Sequence, residues 1–127
     1  RNGMRFTLES HETANIITAV DAAAVRIGER RFGTSLIVGT REIIPEWHAA
    51  SLADVSRQSL MPALALKPVI GLLGPGARTL FPEPSLLAEL SRRRIGFEAM
   101  DTAAACRTYN VLAHEDRAVV AALLIGS

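Results

Sequence analysis

The sequence holds a single cysteine, Cys106, so no internal disulfide can form and no set of cysteines has metal-ligand spacing. That usage fits a reducing compartment, and a cytoplasmic location is the expectation. Long apolar runs are missing as well. The longest, Ala118 to Ile125, is less than half of the roughly 20 residues that a membrane-spanning helix needs. No apolar stretch of signal-peptide type opens the chain, so the expectation is a protein neither secreted nor membrane-spanning. Excess charge is absent too. With 14 Lys+Arg against 13 Asp+Glu the formal net charge is +1, which gives a polyanion little to hold and argues against nucleic acid as a partner. The one basic run, Arg92-Arg93-Arg94, sits where the last turn of a helix favours cations. His11, His48 and His114 have no metal-ligand spacing, no Gly-x-Ser-x-Gly elbow occurs, and no acidic pair stands out. No metal ligand, cofactor or catalytic residue is therefore assigned.

What the chain does have is the makings of one domain. Its 127 residues, 49% hydrophobic and 21% charged, suffice for a single core. Residues 1–15 are taken as a tail, with Arg1 to Gly3 left unassigned to the natural chain, and residues 16–127 as a single α/β domain. Short β-rich runs at Ile16 to Val20, Ala24 to Ile27 and Ser35 to Val38 predict strands, with Gly28-Glu29-Arg30-Arg31 as a tight connection between the second and third. Ile43 to His48 reads as an irregular exit from the sheet, because Pro45 removes a ladder donor, and Trp47 as a cover over the core. Ser51 to Leu66 turns helical, with Ser51 and Asp54 at capping-box spacing and Pro62 dividing the segment or starting a second short helix.

Beyond Val69 the pattern alternates between apolar runs and amphipathic helices. Val69 to Leu73 predicts a buried strand. In the helix that follows, Leu86, Leu87 and Leu90 share a face, Glu89 and Arg93 form an i,i+4 pair, and Gly96 marks the end. Gly96 to Met100 predicts a strand, Thr102 to Ala113 a helix, and Ala118 to Ile125 a last strand whose unbroken apolar character implies burial on both faces. The first β-α-β unit should be parallel with a right-handed crossover, which brings the loops at Gly74 to Arg78 and Asp101 to Thr102 to one carboxyl edge of the sheet.

Open α/β sheets bind ligands at that edge, so both loops supply candidates. Gly74 and Gly76 permit close backbone approach and Arg78 can pair with an anion, although the spacing matches neither a dinucleotide fingerprint nor a P-loop. Asp101 or Thr102 is placed to cap the following helix. Cys106, after three alanines, reads as a small buried residue rather than a nucleophile. Arg107, Asn110 and His114 share a helix face that can hydrogen-bond a ligand or partner, and Tyr109 joins the candidate edge.

The run Gly96-Phe97-Glu98-Ala99-Met100-Asp101-Thr102, then Ala104-Ala105-Cys106-Arg107-Thr108-Tyr109-Asn110-Val111-Leu112, then Glu115, Arg117 and an apolar end, resembles the uncharacterised Mth-like domain family of bacteria and archaea. Val25-Arg26-Ile27-Gly28, Ser35-Leu36-Ile37-Val38 and Trp47 fit the family's N-terminal half more loosely. The resemblance implies a three-layer α/β fold: a mixed central sheet with helices on its faces, an N-terminal β-hairpin region, and a last strand antiparallel to its neighbours. The family also counts a mitochondrial assembly factor of respiratory complex I and a human adipogenesis-associated protein among its members. Where the family commonly has Gly-Thr-Gly, this chain has Gly74-Pro75-Gly76, losing a hydroxyl and an N–H. The resulting expectation is a non-catalytic interaction or assembly protein with protein partners, homo-oligomerisation being left open. The alternative is a small-molecule or anion-binding domain, enzymatic or not, with its site formed by Gly74, Gly76, Arg78, Asp101, Thr102, Arg107, Tyr109 and Asn110.

Overall fold

A strand buried on both faces must send alternate side chains into two different cores, and the last apolar run does so. The structure, a computed structural model, describes residues 14–49, 51–75 and 83–125. Its elements in chain order are strands β1 (Ile17–Val20), β2 (Val25–Ile27), β3 (Arg30–Phe32), β4 (Leu36–Gly39) and β5 (Ile43–Ile44), a 3-10 turn at Leu52–Asp54, helix α1 (Met61–Leu64), β6 (Ile70–Gly74), α2 (Pro84–Arg92), β7 (Gly96–Ala99), α3 (Thr102–His114) and β8 (Val119–Leu123). β1, β2 and β3 form an antiparallel sheet, and a mixed sheet runs β5-β4-β8-β6-β7. β8 is parallel to β6 and antiparallel to β4. So the last strand is antiparallel to one neighbour only, and the β6-α2-β7 unit is parallel as expected.

Every residue of β8 is buried. Val119, Ala121, Leu123 and the following Ile125 join a core with Leu36, Val38 and Leu72, capped by Ala105, Cys106 and Tyr109 of α3 and by Ile17, Val25, Ile27 and Phe32 of the small sheet. Val120, Ala122 and Leu124 face the other way, meeting Ile37, Leu73, Trp47, Leu60 and Ala63, with Leu86 and Leu90 from α2. The mixed sheet is thus the middle of three layers. No helix of the described residues is long and apolar enough to cross a membrane.

Local chemistry sets the ends of the elements. Pro62 lies at the start of α1, where its missing N–H costs nothing. Ser51 N–H donates to Asp54 Oδ2 at 3.2 Å, one arm of the expected box. The Trp47 indole N–H donates to the Ser59 carbonyl at 2.7 Å, so its ring packs over the core with its polar atom satisfied. Glu89 pairs with Arg93 at 3.8 Å and also with Arg57 at 2.7 Å.

Several expectations are corrected. Arg30 and Arg31 belong to a strand: Gly28, at φ +61°, and Glu29 make the hairpin turn, and β3 pairs back on β2. Ser35 to Val38 therefore does not pair with the second strand but opens the other sheet. Arg30 stacks on the Phe32 ring, 4.9 Å from guanidinium carbon to centroid, so an aromatic face shields one of the charges in this strand. Ile43 and Ile44 still pair with Val38 and Ile37, and the irregular exit begins only at Pro45. Gly96 does not end α2. Arg94 takes the left-handed turn at φ +63°, Ile95 N–H reaches Leu90 C=O at 3.1 Å, and Gly96 opens β7. Val69 stays exposed outside β6. Asn15, placed in the tail by sequence, donates its N–H to Thr40 C=O and its side-chain amide to Gly39 C=O, both at 2.8 Å.

Gly71 lies opposite Phe97 in the β6-β7 register, and a methyl group added there would run into the Phe97 ring. Gly71→Ala should therefore destabilise the fold by about 1–3 kcal/mol, the usual cost of overpacking. In a Phe97→Leu background the same change should cost measurably less. Equal losses by denaturant titration in both backgrounds would show that the ring is not the obstacle.

Candidate functional site

Parallel pairing of β6 with β7 puts their carboxyl ends, Gly74 and Ala99, at one edge of the sheet. α3 starts there, and its first turn comes down onto β6. A methyl on Gly74 would lie 3.0 Å from Thr102 Cα, 3.1 Å from Thr102 Oγ1 and 3.0 Å from Leu123 Cδ2. Glycine is the residue that lets the helix close on the strand at this point. The Gly74 carbonyl accepts from Leu124 N–H at 2.9 Å, and Leu73 C=O accepts from Met100 N–H at 3.1 Å, so the backbone at this edge is committed within the fold. Asp101 is the cap of α3, its Oδ1 accepting the Ala104 N–H at 2.8 Å. Thr102 is buried directly behind it. Gly76 and Arg78 lie outside the described residues.

The candidates further along α3 divide by helix face. Arg107 is exposed and forms no ion pair among the described residues, so the carboxylate partners open to it in sequence, Asp101 and Glu98, are not used. Tyr109 is fully buried, and its hydroxyl donates to the Asn15 carbonyl at 2.7 Å. Burial pushes the phenol well above its ordinary range, so it acts as a neutral donor. Asn110 clasps one backbone unit of β1 from both sides. Its Nδ2 donates to Ile17 C=O at 2.7 Å and its Oδ1 accepts Ile17 N–H at 2.9 Å. The expected ligand face of Arg107, Asn110 and His114 is therefore divided: Arg107 and His114 are exposed, whereas Asn110 turns under the small sheet.

Cys106 sits in the core, 3% exposed, as its alanine-rich context implied. Burial pushes its thiol up to about 11, with the Arg107 charge opposing weakly. It is a protonated, packed side chain at neutral pH rather than an activated nucleophile. Among the described residues no group of three or more His, Cys, Asp or Glu is arranged to hold a metal ion.

Sequence reasoning missed an open groove of about 700 Å³ between the Leu52–Arg57 segment and α2. Leu52, Val55 and Leu86 give it apolar walls, while Arg57, Glu89 and Arg92 line it with charge. The Arg57–Glu89 pair that bridges it joins residues far apart in sequence, which no local spacing rule could register.

Asp101 and Asn110 make a contrast that can be measured. Asp101→Ala removes one cap and should cost about 1 kcal/mol. Asn110→Ala strands both backbone groups of Ile17 and should cost more, roughly 2–4 kcal/mol, because each unpaired group carries its own desolvation penalty. Chemical denaturation of both variants checks the order; a smaller loss for Asn110→Ala would contradict the clasp.

The fold agrees with that of related proteins of known structure. A zebrafish (Danio rerio) protein named NADH dehydrogenase [ubiquinone] 1 alpha subcomplex assembly factor 3 is 41% identical over 83 residues, covering 64% of this chain and 48% of that protein. This chain thus spans about half the length of that relative. The NMR structure of a Xanthomonas campestris protein is 39% identical with a TM-score of 0.79, covering 87% of this chain and 83% of the other. A Bordetella pertussis protein described as a Mth938-like domain is 28% identical with a TM-score of 0.76, covering 87% of this chain and 85% of that one. Through residues 17–124, the chain belongs to the family described as "protein of unknown function (DUF498/DUF598)".

Proposed function

We propose that this chain is a non-catalytic protein-binding domain that works in the cytoplasm in the assembly of a larger complex, a membrane-bound respiratory complex being the best-supported class. The observation that carries this reading is the 41% identity to a protein named as an assembly factor of NADH dehydrogenase. The chemistry of α3 supports it. Asp101, Tyr109 and Asn110, the polar side chains that drew attention in the sequence, hold backbone groups of this same chain. Cys106 is buried and protonated.

A second reading rests on Arg107, exposed and without an ion pair among the described residues, nearly two turns beyond the Asp101 cap. On that reading the carboxyl edge at Gly74, Asp101 and Thr102, together with Arg107, takes a small anion; Gly76 and Arg78, the further candidates from sequence, lie outside the described residues.

The two separate in one experiment. The tagged full chain, purified from its native host under conditions that preserve weak complexes, should bring down the same partner proteins in independent preparations. Subunits of a membrane-bound complex should be among them, and purified partner should bind again in vitro. A chain that emerges alone each time, and whose melting temperature is raised by millimolar inorganic phosphate in the parent but not in Arg107→Ala, would replace the assembly role with the anion site.

A further inference from the structure

The register of the first hairpin sets two like charges side by side. Arg26 of β2 lies opposite Arg31 of β3, and Ala19 of β1 continues the same row. Val25, Ile27 and Phe32 point into the core beneath, so Arg26 and Arg31 stand together on the outer face. Residues opposite one another in an antiparallel pair have Cβ atoms about 4.5–5.5 Å apart, a distance at which like charges weaken the pairing. Neither arginine has an ion-pair partner among the described residues. The acids close to them in sequence form no ion pair with them. Asp21 uses its Oδ1 to accept the Ala23 and Ala24 N–H groups at 2.8 and 2.9 Å, and Glu29 in the hairpin turn makes no ion pair. Arg30 is spent on the Phe32 ring. The hairpin therefore carries a guanidinium pair with no ion-pair partner among the described residues, and like charges set opposite one another weaken the pairing of β2 with β3.

β3 is also the last strand of its sheet in the described residues. An edge strand can take an extended segment alongside it, and a side chain of that segment opposite Arg31 would extend the row Ala19, Arg26, Arg31. We propose that this face binds an extended acidic segment of a partner protein laid along β3, with a carboxylate opposite Arg31 in the row that Arg26 continues. The charge pattern selects this occupant over a lipid surface. Two guanidinia fall short of the roughly four to eight clustered cations that an anionic headgroup site uses.

The inference rests on the reading of the chain as a protein-binding domain, but its test does not need the native partner. A labelled peptide of alternating glutamate and threonine should bind the full chain, weaken as salt rises, and perturb the Arg31 amide in an NMR titration. A lysine-threonine peptide and phosphatidylcholine vesicles containing phosphatidylserine should not bind. Arg26→Gln/Arg31→Gln should weaken the peptide about tenfold or more and melt at or above the parent temperature, because the repulsion is gone. No peptide binding to the parent, unchanged binding to the variant, a lower melting temperature in the variant or preference for vesicles would each overturn the proposal. Capture of a native partner with no peptide binding would sink this surface alone. Peptide binding with no captured partner would sink the assembly role alone.

Discussion

The fold depends on β8 being buried on both faces. Because side chains alternate along a strand, Val119, Ala121 and Leu123 are committed to the core beneath α3 and the small sheet, and Val120, Ala122 and Leu124 to the core beneath α1 and α2. A slip of one residue would exchange the two sets and ruin both cores at once, so the register against β4 and β6 is specified twice over. Small residues at the centre, Ala121 and Ala122, leave room on either side for larger groups, among them the fully buried Tyr109. Both neighbouring strands repeat the division: Leu36 and Val38 face one core and Ile37 the other, while Leu72 and Leu73 separate in the same way.

α3 is the element that turns two sheets into one structure. At its start, Asp101 caps the helix and Gly74 lets Thr102 close against β6. Two turns on, Tyr109 and Asn110 reach the other sheet and bind the backbone at Asn15 and Ile17. A polar run that looks dense enough for a binding site is thereby used largely in the fold. Buried polar groups are costly unless paired, so each of these side chains specifies one arrangement rather than merely adding stability. The charged groove beside α2, the exposed Arg107 and the arginine pair on the small sheet lie outside this internal network.

Much of this was readable in the sequence, and the failures have physical causes. Period-2 and period-3.6 patterns located β8, β6, α2 and α3, and the Asp101 cap followed from its place before an alanine-rich helix. β3 went unseen because two adjacent arginines do not look like a strand until Phe32 is found beneath Arg30. The end of α2 was misread because a left-handed turn is usually glycine, and here Arg94 adopts it. The role of Asn110 had no local signal at all. Its partner lies 93 residues away in sequence, and a residue whose work is done across the fold looks the same in sequence as one awaiting a ligand. Family resemblance supplied what local pattern could not, the mixed sheet and the three layers.

If α3 joins the two sheets into one cooperative unit, the small sheet cannot open on its own. Native-state hydrogen exchange at the Ile17 amide, which donates to Asn110 Oδ1, tests this most directly, because local opening and global unfolding give different protection. The account predicts that Ile17 exchanges with the same opening free energy, and the same denaturant dependence, as the amides of β8. Exchange at Ile17 through a smaller, denaturant-independent opening would contradict it, and would show the small sheet to be a separately mobile flap on a core that does not need it.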